Sequence, residues 1–326
     1  MIVHSRQEAT EYMNKKGRAN KPFLFIINYK ADLIHVYEPN EIDSSELLFD
    51  LNGFTNYTDC SEDKPSFEWK PEPVPFSVYD KSFRYVTDEI KAGNSYLLNL
   101  TFPTKIFTNL SLKSIFELSK ARYKLWLKDE FVCFSPEVFV RINEGYIRSF
   151  PMKGTIDASL PDAANQILND QKEMAEHATI VDLIRNDLSM IASDVSVKRY
   201  RYLDRLSTNR GDLLQVSSEI EGRLPEGWQE KIGDLLFSLL PAGSISGAPK
   251  KKTRKIIEQA ELDERGFYTG ITGYFDGTKL DSAVMIRFIE QKDGVFLFRS
   301  GGGITAQSDV NKEYNEIIQK VYVPIY

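Results

Sequence analysis

Histidine and cysteine are scarce in this 326-residue chain, which has three histidines and two cysteines. With only His4, His35 and His177 there is no HExxH pair, so a zinc site of that kind is excluded. Two cysteines, Cys60 and Cys133, are too few for a disulfide framework. Few cysteines are typical of a reducing compartment, and we therefore expect a cytoplasmic protein.

The sequence also lacks the usual glycine-rich nucleotide motifs, since neither GxxxxGK[ST] nor GxGxxG occurs. No apolar run approaches the roughly 20 residues that a membrane helix needs, and the charged N-terminal segment contains no signal-peptide core. The 41 basic and 47 acidic residues give a formal charge of −6, which does not favour a polyanionic partner. We expect neither a nucleic-acid partner nor a membrane partner.

The sequence is 42% hydrophobic and supplies ample material for a large core. Strand-like runs outnumber helical ones and follow one another in hairpin series, which predicts an α+β fold with large antiparallel sheets. A segment rich in Asp, Pro and Glu at 59–75 is the best candidate for a mobile connection, but we expect a single domain over residues 1–326. Residues 21–36 are predicted as a strand, an Asp-containing turn and a second strand. Further strands are predicted at 95–107, 131–140, 145–150, 267–275, 282–291 and 295–299. Helices are predicted at 80–93, 163–192, 248–261 and 310–321, the last with Ser308 or Asp309 as its N-cap.

Two predicted helices carry pairs of glutamates three residues apart, a spacing that places each pair on one helical face. The pairs are Glu173 with Glu176 and Glu313 with Glu316. Carboxylates on two such faces suit a hard cation such as Mg²⁺ together with an oxyanionic substrate. Acidic residues at this spacing also form ordinary solvated helix faces, and spacing alone favours that interpretation.

Arg287 lies in the predicted strand 282–291, where alternation puts it on the same face as Met285 and Ile289. An arginine among apolar residues is costly unless an anion or a buried carboxylate neutralises it. An anion site and a structural ion pair explain it equally well. The glycine run at 300–303 has two explanations also: backbone amides that approach an anion, or a glycine-rich hairpin or bulge.

Lys153 stands between a proline and a glycine in the segment PMKGT, directly after a predicted strand. A lysine becomes a nucleophile when its surroundings hold it neutral. An exposed lysine in a turn is the alternative, and for an isolated motif it is the better explanation.

Taken together and in order, these features resemble the family of chorismate-utilising enzymes, and within it the branch of aminodeoxychorismate synthase component I. The resemblance covers 83–320, whereas residues 1–80 are a shortened N-terminal part without a recognisable tryptophan-type site. It implies a fold in which large antiparallel sheets pack as a sandwich with helices outside. The matching motifs are KAGNSYLLNL (91–100), PMKGT (151–155), AEHATIVDLIRND (175–187), PAGSISGAPK (241–250), RGFYTGITGYF (265–275), MIRF (285–288) and SGGGITAQSDVNKEYNEIIQK (300–320).

The resemblance implies that Mg²⁺ links the protein to the ring carboxylate of chorismate. Glu176 and Glu316 would be its ligands, and Glu173 and Glu313 would hold its water molecules. Other residues would bind the substrate itself. Arg287 and Tyr268 would bind the enolpyruvyl carboxylate, assisted by the amides of Gly302 and Gly303. Lys320 would bind the ring carboxylate, and Ser246 would contribute a hydroxyl group at a position where Thr is usual.

Position 153 separates the branches of the family, because anthranilate synthases carry Ala there and the aminodeoxychorismate enzymes carry Lys. The implied reaction starts with attack of Lys153 on C2 of chorismate while Glu137 protonates the departing C4 hydroxyl. Ammonia from a partner glutaminase then adds at C4 and expels the lysine. The product would be 4-amino-4-deoxychorismate, a precursor of 4-aminobenzoate for folate synthesis.

Alternatives remain. Another chorismate enzyme is the nearest, either anthranilate synthase or an isochorismate or salicylate synthase. A non-catalytic subunit would be expected to have lost at least one of Glu137, Lys153, Glu176, Arg287 or Glu316, and all five are present. This sequence departs from the family pattern at Met152 and Ala242, and at Leu214, where many relatives have a substrate-side histidine.

Overall fold

The computed structural model of the chain describes residues 3–58, 66–208 and 211–325. It forms two compact units. Unit 1 comprises Met1–Pro39, Glu137–Ser244 and Ile271–Ala283, and unit 2 comprises Asn40–Pro136, Ile245–Gly270 and Val284–Tyr326. The single domain expected over residues 1–326 stays a prediction.

The described residues form both α-helices and β-strands. The α-helices are α1 (Arg6–Arg18), α2 (Phe76–Lys91), α3 (Leu112–Leu118), α4 (Ala163–Asn169), α5 (Gln171–Ser189), α6 (Ile232–Ser238), α7 (Gly243–Ser246), α8 (Lys250–Ala260) and α9 (Val310–Gln319). The strands are β1 (Val3–His4), β2 (Phe23–Ile27), β3 (Ile34–Tyr37), β4 (Leu47–Leu51), β5 (Phe54–Thr55), β6 (Lys70–Glu72), β7 (Leu97–Phe107), β8 (Tyr123–Leu127), β9 (Phe131–Ser135), β10 (Val138–Asn143), β11 (Tyr146–Ser149), β12 (Met152–Asp157), β13 (Ser193–Thr208), β14 (Gly211–Arg223), β15 (Gly247–Ala248), β16 (Ile271–Phe275), β17 (Leu280–Val284), β18 (Phe288–Lys292) and β19 (Val295–Ile304).

Each unit is built around one large sheet. In unit 1 the strand order is β1-β3-β2-β16-β17-β10-β11-β14-β12, with β13 beside β14. In unit 2 the order is β15-β7-β19-β18-β9-β8-β4-β5, with β6 beside β7. The strand pairs with a defined register are antiparallel, as in β13 with β14 and β7 with β19. The predicted α+β class with large antiparallel sheets is confirmed.

Apolar periodicity explains how helices cover the sheet of unit 2. Tyr79, Phe83, Val86 and Ile90 recur at intervals of three and four along α2, and all four are buried. They form one cluster with residues of β7, α8 and α9, including the fully buried Phe102. Removing a side chain of this size from water contributes about 1.5–3 kcal/mol, so this cluster is a main source of helix stability.

Aspartate caps fix where the two helices with paired glutamates begin. Asp170 accepts a hydrogen bond from the amide of Glu173 at the start of α5. The predicted helix at 163–192 is therefore two helices, because the chain leaves the helical conformation at Asp170. Asp309 accepts from the amides of Asn311 and Lys312 and caps α9, as the sequence indicates.

Three predicted strands differ from the structure. The run 282–291 is interrupted at 285–287, and the run 131–140 is interrupted at 136–137. The run 267–275 becomes strand only from Ile271. The long hairpin of β13 and β14 was not predicted at all. None of the helices described combines the length and the apolar character needed to cross a lipid bilayer.

Candidate active-site residues

Lys153 lies within β12, and not in a turn after a strand as the sequence suggests. The register of β12 against β14 shifts between Lys153 and Thr155, a β-bulge made possible by the positive φ of 76° at Gly154. The ammonium group of Lys153 donates to Oε2 of Glu176 at 2.9 Å, and its side chain is 24% exposed. The lysine is thus held by a carboxylate on α5.

The carboxylates of α5 converge on this bulge. Glu176 is 6% exposed, and its Oε1 has no hydrogen-bond partner within the described ranges, although Nζ of Lys172 lies 3.6 Å away. Oε2 of Glu173 lies 3.0 Å from the point where a Cβ on Gly154 would stand. Burial raises the pKa of Glu173, and the nearby charge of Glu176 raises it further. Two crowded carboxylates, one with an orphan oxygen, suit a cation.

His177 was not singled out by the sequence, although it follows Glu176. It is 1% exposed, and its Nε2 lies 2.7 Å from Oγ of Ser218. Ser218 in turn donates its amide to the carbonyl of Pro151, two residues before Lys153. Burial lowers the pKa of His177 to about 4, and the positive charges of Arg201 and Lys153 act in the same direction. A neutral histidine therefore ties α5 to the strands beside Lys153.

Glu137 is half-buried in unit 1, at the start of β10. Its Oε1 accepts a hydrogen bond from Oγ of Ser244 at 2.5 Å, which fixes the orientation of the carboxyl group. Glu137 lies close in sequence to Phe134 and Phe139. Both phenylalanines are buried, but Glu137 itself is only partly shielded from water. The sequence analysis did not single out Ser244, and its place within the motif PAGSISGAPK was the only indication that it could belong to the site.

In unit 2 the acidic face of α9 meets the glycine run of β19. Oε2 of Glu313 would lie 3.4 Å, and Oε1 of Glu316 3.9 Å, from a Cβ on Gly302. Glu313 is 1% exposed. Lys320 donates to Oε1 of Glu316 at 2.6 Å and to the carbonyl of Gly301 at 2.8 Å. All five residues meet in one place.

The glycine run does not follow a strand, because it forms part of β19. Gly302 lies opposite Leu100 of β7, and Gly303 lies opposite Asn99. Any side chain at Gly302 would face the carboxylates of α9. The glycines therefore allow close approach of α9 to the strand, a packing role that the sequence left open beside anion binding.

Arg287 lies outside any strand, in the left-handed region with φ 51°. The predicted alternation with Met285 and Ile289 was wrong, because the chain breaks its strand geometry at 285–287 and then resumes as β18. The guanidinium carbon lies 5.7 Å from the ring centre of Tyr322. Its Nε is buried without a hydrogen-bond partner among the described residues. Nε of Arg287 therefore forms no ion pair with the described residues, and a bound anion would provide the hydrogen-bond acceptor that this buried N–H group lacks.

Tyr268 and Ser246 are both buried in unit 2, with exposures of 4% and 0%. Burial raises the pKa of Tyr268 to about 12, although the charges of Arg265 and Arg287 oppose the shift. Its hydroxyl therefore remains a hydrogen-bond donor at neutral pH. Leu214 is half-buried on β14 opposite Ile156 of β12.

The structure thus places Glu137, Lys153, Glu173 and Glu176 in unit 1. The remaining predicted residues lie in unit 2, namely Ser246, Tyr268, Arg287, Gly302, Gly303, Glu313, Glu316 and Lys320. That both groups serve one reaction stays a prediction. Within the described ranges no cluster of three or more His, Cys, Asp or Glu side chains with metal-site geometry occurs.

Comparison with known proteins decides the family. The family model described as chorismate binding enzyme matches residues 17–325. The chain belongs to the chorismate-binding enzyme family. An uncharacterized PabA-like protein of Haemophilus influenzae is 52% identical over 325 residues, which cover 100% of this chain and 99% of that protein.

Two characterised types of relative are more distant. Aminodeoxychorismate synthase component 1 of Bacillus subtilis is 28% identical over 284 residues, 79% of this chain and 58% of that protein. The crystal structure of anthranilate synthase component I from Streptococcus pneumoniae superposes with a TM-score of 0.67 at 26% identity, covering 79% of this chain and 60% of that one. The predicted family is confirmed, and the two relatives mark two possible reactions within it.

Proposed function

We propose that this protein aminates chorismate at C4 to give 4-amino-4-deoxychorismate. The observation that carries the proposal is the amine of Lys153, partly buried on a strand bulge and held 2.9 Å from Glu176. A lysine in such a place can reach a bound substrate and is shielded from competing solvent. An ion pair stabilises the protonated amine, so the nucleophilic form requires that the contact with Glu176 be broken first.

The reaction needs an acid as well as a nucleophile. The amine of Lys153 forms a bond to C2, and both ring double bonds shift, C1=C2 to C1=C6 and C5=C6 to C4=C5. The C4 hydroxyl then leaves as water after taking a proton from Glu137. The hydrogen bond from Ser244 holds that carboxyl group in place. Ammonia then forms a bond to C4, the two double bonds shift back, and the bond between C2 and Lys153 breaks. The proton that the added ammonia loses restores Glu137, and the lysine is returned unchanged.

Magnesium is part of the proposal, because the carboxylate side chains of α5 and α9 are of the chemical type that binds this ion. Mg²⁺ prefers carboxylate oxygens and water, and Glu176 offers a buried oxygen without a hydrogen-bond partner. When bound, the ion would neutralise charge at a carboxylate of the substrate. Glu176 and Glu316 would be its ligands, with Glu173 and Glu313 orienting bound water.

Substrate binding is assigned to residues of unit 2. Arg287 would bind the enolpyruvyl carboxylate, since its guanidinium has a buried nitrogen without a partner. Tyr268 would add a neutral hydroxyl donor, and Ser246 a second hydroxyl. The amides of Gly302 and Gly303 would assist, and Lys320, which now contacts Glu316, would reach the ring carboxylate.

The ammonia is expected to come from a separate glutaminase. Such an enzyme needs a reactive cysteine, whereas Cys133 is buried in β9 and burial raises the pKa of its thiol. Cys60 lies outside the described residues. We therefore expect turnover with ammonium salts alone, and with glutamine only when a glutaminase subunit is added.

Product analysis tests the proposal. The protein is incubated with chorismate, Mg²⁺ and an ammonium salt, and the products are separated by chromatography and identified by mass spectrometry. We expect 4-amino-4-deoxychorismate, which retains the pyruvyl group. Formation of anthranilate and pyruvate instead would contradict the proposal.

Anthranilate synthesis is the second candidate, because an anthranilate synthase component I has a similar structure at 26% identity. That reaction adds ammonia at C2, the position that Lys153 would occupy. Replacing Lys153 by Ala is therefore expected to shift any remaining product towards the C2 isomer, which distinguishes the two reactions in one assay.

A further inference from the structure

Arg265 and Glu261 form a buried ion pair in unit 2. Their side chains are 2% and 5% exposed, and Nη2 and Nε of Arg265 donate to Oε1 and Oε2 of Glu261 at 2.6 and 2.9 Å. Two parallel hydrogen bonds of this kind fix the plane of the guanidinium group. The cost of removing two charged groups from water offsets much of the attraction between them, so stability alone does not explain a buried ion pair.

The guanidinium group also contacts the segments that carry Ser246 and Tyr268. Nη1 donates to the carbonyl of Ile245 at 2.9 Å, which is the peptide group directly before Ser246. The same nitrogen donates to Oγ1 of Thr269 at 3.3 Å, one residue after Tyr268. Thr269 adopts a positive φ of 60°, so its backbone conformation needs support from its surroundings.

The ion pair contacts β7 at the two residues that lie opposite the first and the last of the three glycines at 301–303. Nη2 of Arg265 donates to the carbonyl of Asn99 at 2.7 Å. Oε1 of Glu261 accepts from the amide and from the hydroxyl of Thr101, each at 2.9 Å. Asn99 lies opposite Gly303 of β19, and Thr101 lies opposite Gly301.

We propose that Arg265 and Glu261 are positioning residues that hold three separate substrate-binding segments of unit 2 in register. These segments are the one that carries Ser246, the one that carries Tyr268, and the glycines at 301–303, which pair with the part of β7 that the ion pair contacts. Neither residue needs to touch the substrate. The inference rests on the proposed function, because it takes those segments to bind the carboxylates of chorismate.

A second buried arginine of the same unit supplies a matched control. Arg299 is also 2% exposed and forms two hydrogen bonds with Asp263, at 2.6 and 2.7 Å, and two with Glu290, at 2.5 and 2.8 Å. It also donates to the carbonyl of Glu264 at 3.3 Å. The two arginines thus agree in burial and in ion pairing, but only Arg265 contacts the segments before Ser246 and after Tyr268.

The experiment compares Arg265→Lys with Arg299→Lys in the full chain. Lysine keeps the charge but lacks the planar fork, so both variants are expected to lose thermal stability. For Arg265→Lys we expect the Kd for chorismate, measured by calorimetry with Mg²⁺ present, to rise about tenfold or more, because small displacements at positioned groups are costly. For Arg299→Lys we expect a Kd within about twofold of the wild type, since its hydrogen bonds go to Asp263, Glu290 and Glu264 and to neither the segment before Ser246 nor the one after Tyr268.

Two further variants keep the test decisive. Glu261→Gln preserves the shape of the side chain, and Thr101→Val removes one hydrogen bond to it. Both are expected to raise the KM for chorismate with little change in kcat, and Thr101→Ser to restore the wild-type KM. Equal Kd values for the Arg265 and Arg299 variants, or an unchanged KM in Glu261→Gln, would overturn the inference. If the wild type binds chorismate but forms another product, the proposed function fails and the positioning role is still tested by Kd.

Discussion

Helices α5 and α9 present the same local arrangement in two different units. Each begins at a capping aspartate, carries two glutamates three residues apart, and packs its first glutamate against a strand glycine. In each, the second glutamate pairs with a lysine. The pairs are Lys153 with Glu176 at 2.9 Å and Lys320 with Glu316 at 2.6 Å.

The two pairs differ in the origin of the lysine and in the burial of the glutamate, whereas the lysines themselves are similarly exposed, at 24% for Lys153 and 28% for Lys320. Lys320 lies four residues after Glu316 on the same helix, so this pair is local, and the side chain of Glu316 is 47% exposed. Lys153 comes from a strand, and the side chain of Glu176 is 7% exposed. A local, solvated pair forms and breaks at little cost, whereas the Lys153 pair depends on tertiary packing. The comparison indicates that the contact of Lys153 depends more on tertiary packing than that of Lys320 does, which is what its proposed role as a nucleophile requires.

The largest effect is expected from Lys153→Ala. Loss of the nucleophile should lower C4 amination by about 10³-fold or more, because the covalent route is then closed. Lys172→Ala is the control, since Lys172 also lies near Glu176, at 3.6 Å from its Oε1, without being the nucleophile. Steady-state rates with ammonium measure both. A Lys153→Ala enzyme with full rate and C4 selectivity would reduce Lys153 to an electrostatic contact.

The next largest effect is expected at Glu176 and Glu316, the second glutamate of each pair. Glu176→Gln and Glu316→Gln each remove one ligand charge and should lower turnover about 10²-fold or more, with loss of Mg²⁺ binding in calorimetry. Glu258→Gln, on the exposed side of α8, is the control. Wild-type activity that persists in excess EDTA would refute the magnesium requirement.

A smaller effect is expected at the strand glycine. Gly154→Ala introduces a methyl group 3.0 Å from Oε2 of Glu173, at a φ of 76°. Gly145→Ala has the same φ but nothing within 4 Å of the new Cβ. Both should lose about 1 kcal/mol of stability through backbone strain. Only Gly154→Ala should also lower activity, by about tenfold, because it displaces a carboxylate beside Lys153.

The smallest effect concerns pH and His177. Its pKa in the folded protein, about 4, lies below the usual 6.5, so protonation favours the unfolded chain. Its contribution to stability is complete above pH 6.5 and is lost as the pH falls towards 4. His177→Gln should flatten that decline, by at most about 3 kcal/mol, because glutamine does not titrate. Thermal unfolding between pH 4 and 7 measures the change, and an unaltered slope would contradict it.

Sequence patterns predicted some local features of the two helices and fewer of the tertiary contacts around them. The glutamate pairs of α5 and α9 follow from helical spacing, and the cap at Asp309 from local residue preferences. Local patterns could not reveal the break at 285–287, since the left-handed conformation of Arg287 is stabilised by its tertiary surroundings. They also gave no sign that Lys153 faces Glu176, because a contact between a strand and a helix 23 residues apart depends on packing.

The most direct test of the account is a search for the covalent intermediate on Lys153. Wild-type protein is incubated with chorismate and Mg²⁺ in the absence of any ammonia source, digested, and analysed by peptide mass spectrometry. We predict a mass increase equal to chorismate minus water on the peptide containing Lys153, and none after Glu137→Gln or Lys153→Ala. Turnover to the C4 product by an enzyme that never carries this adduct would contradict the central claim.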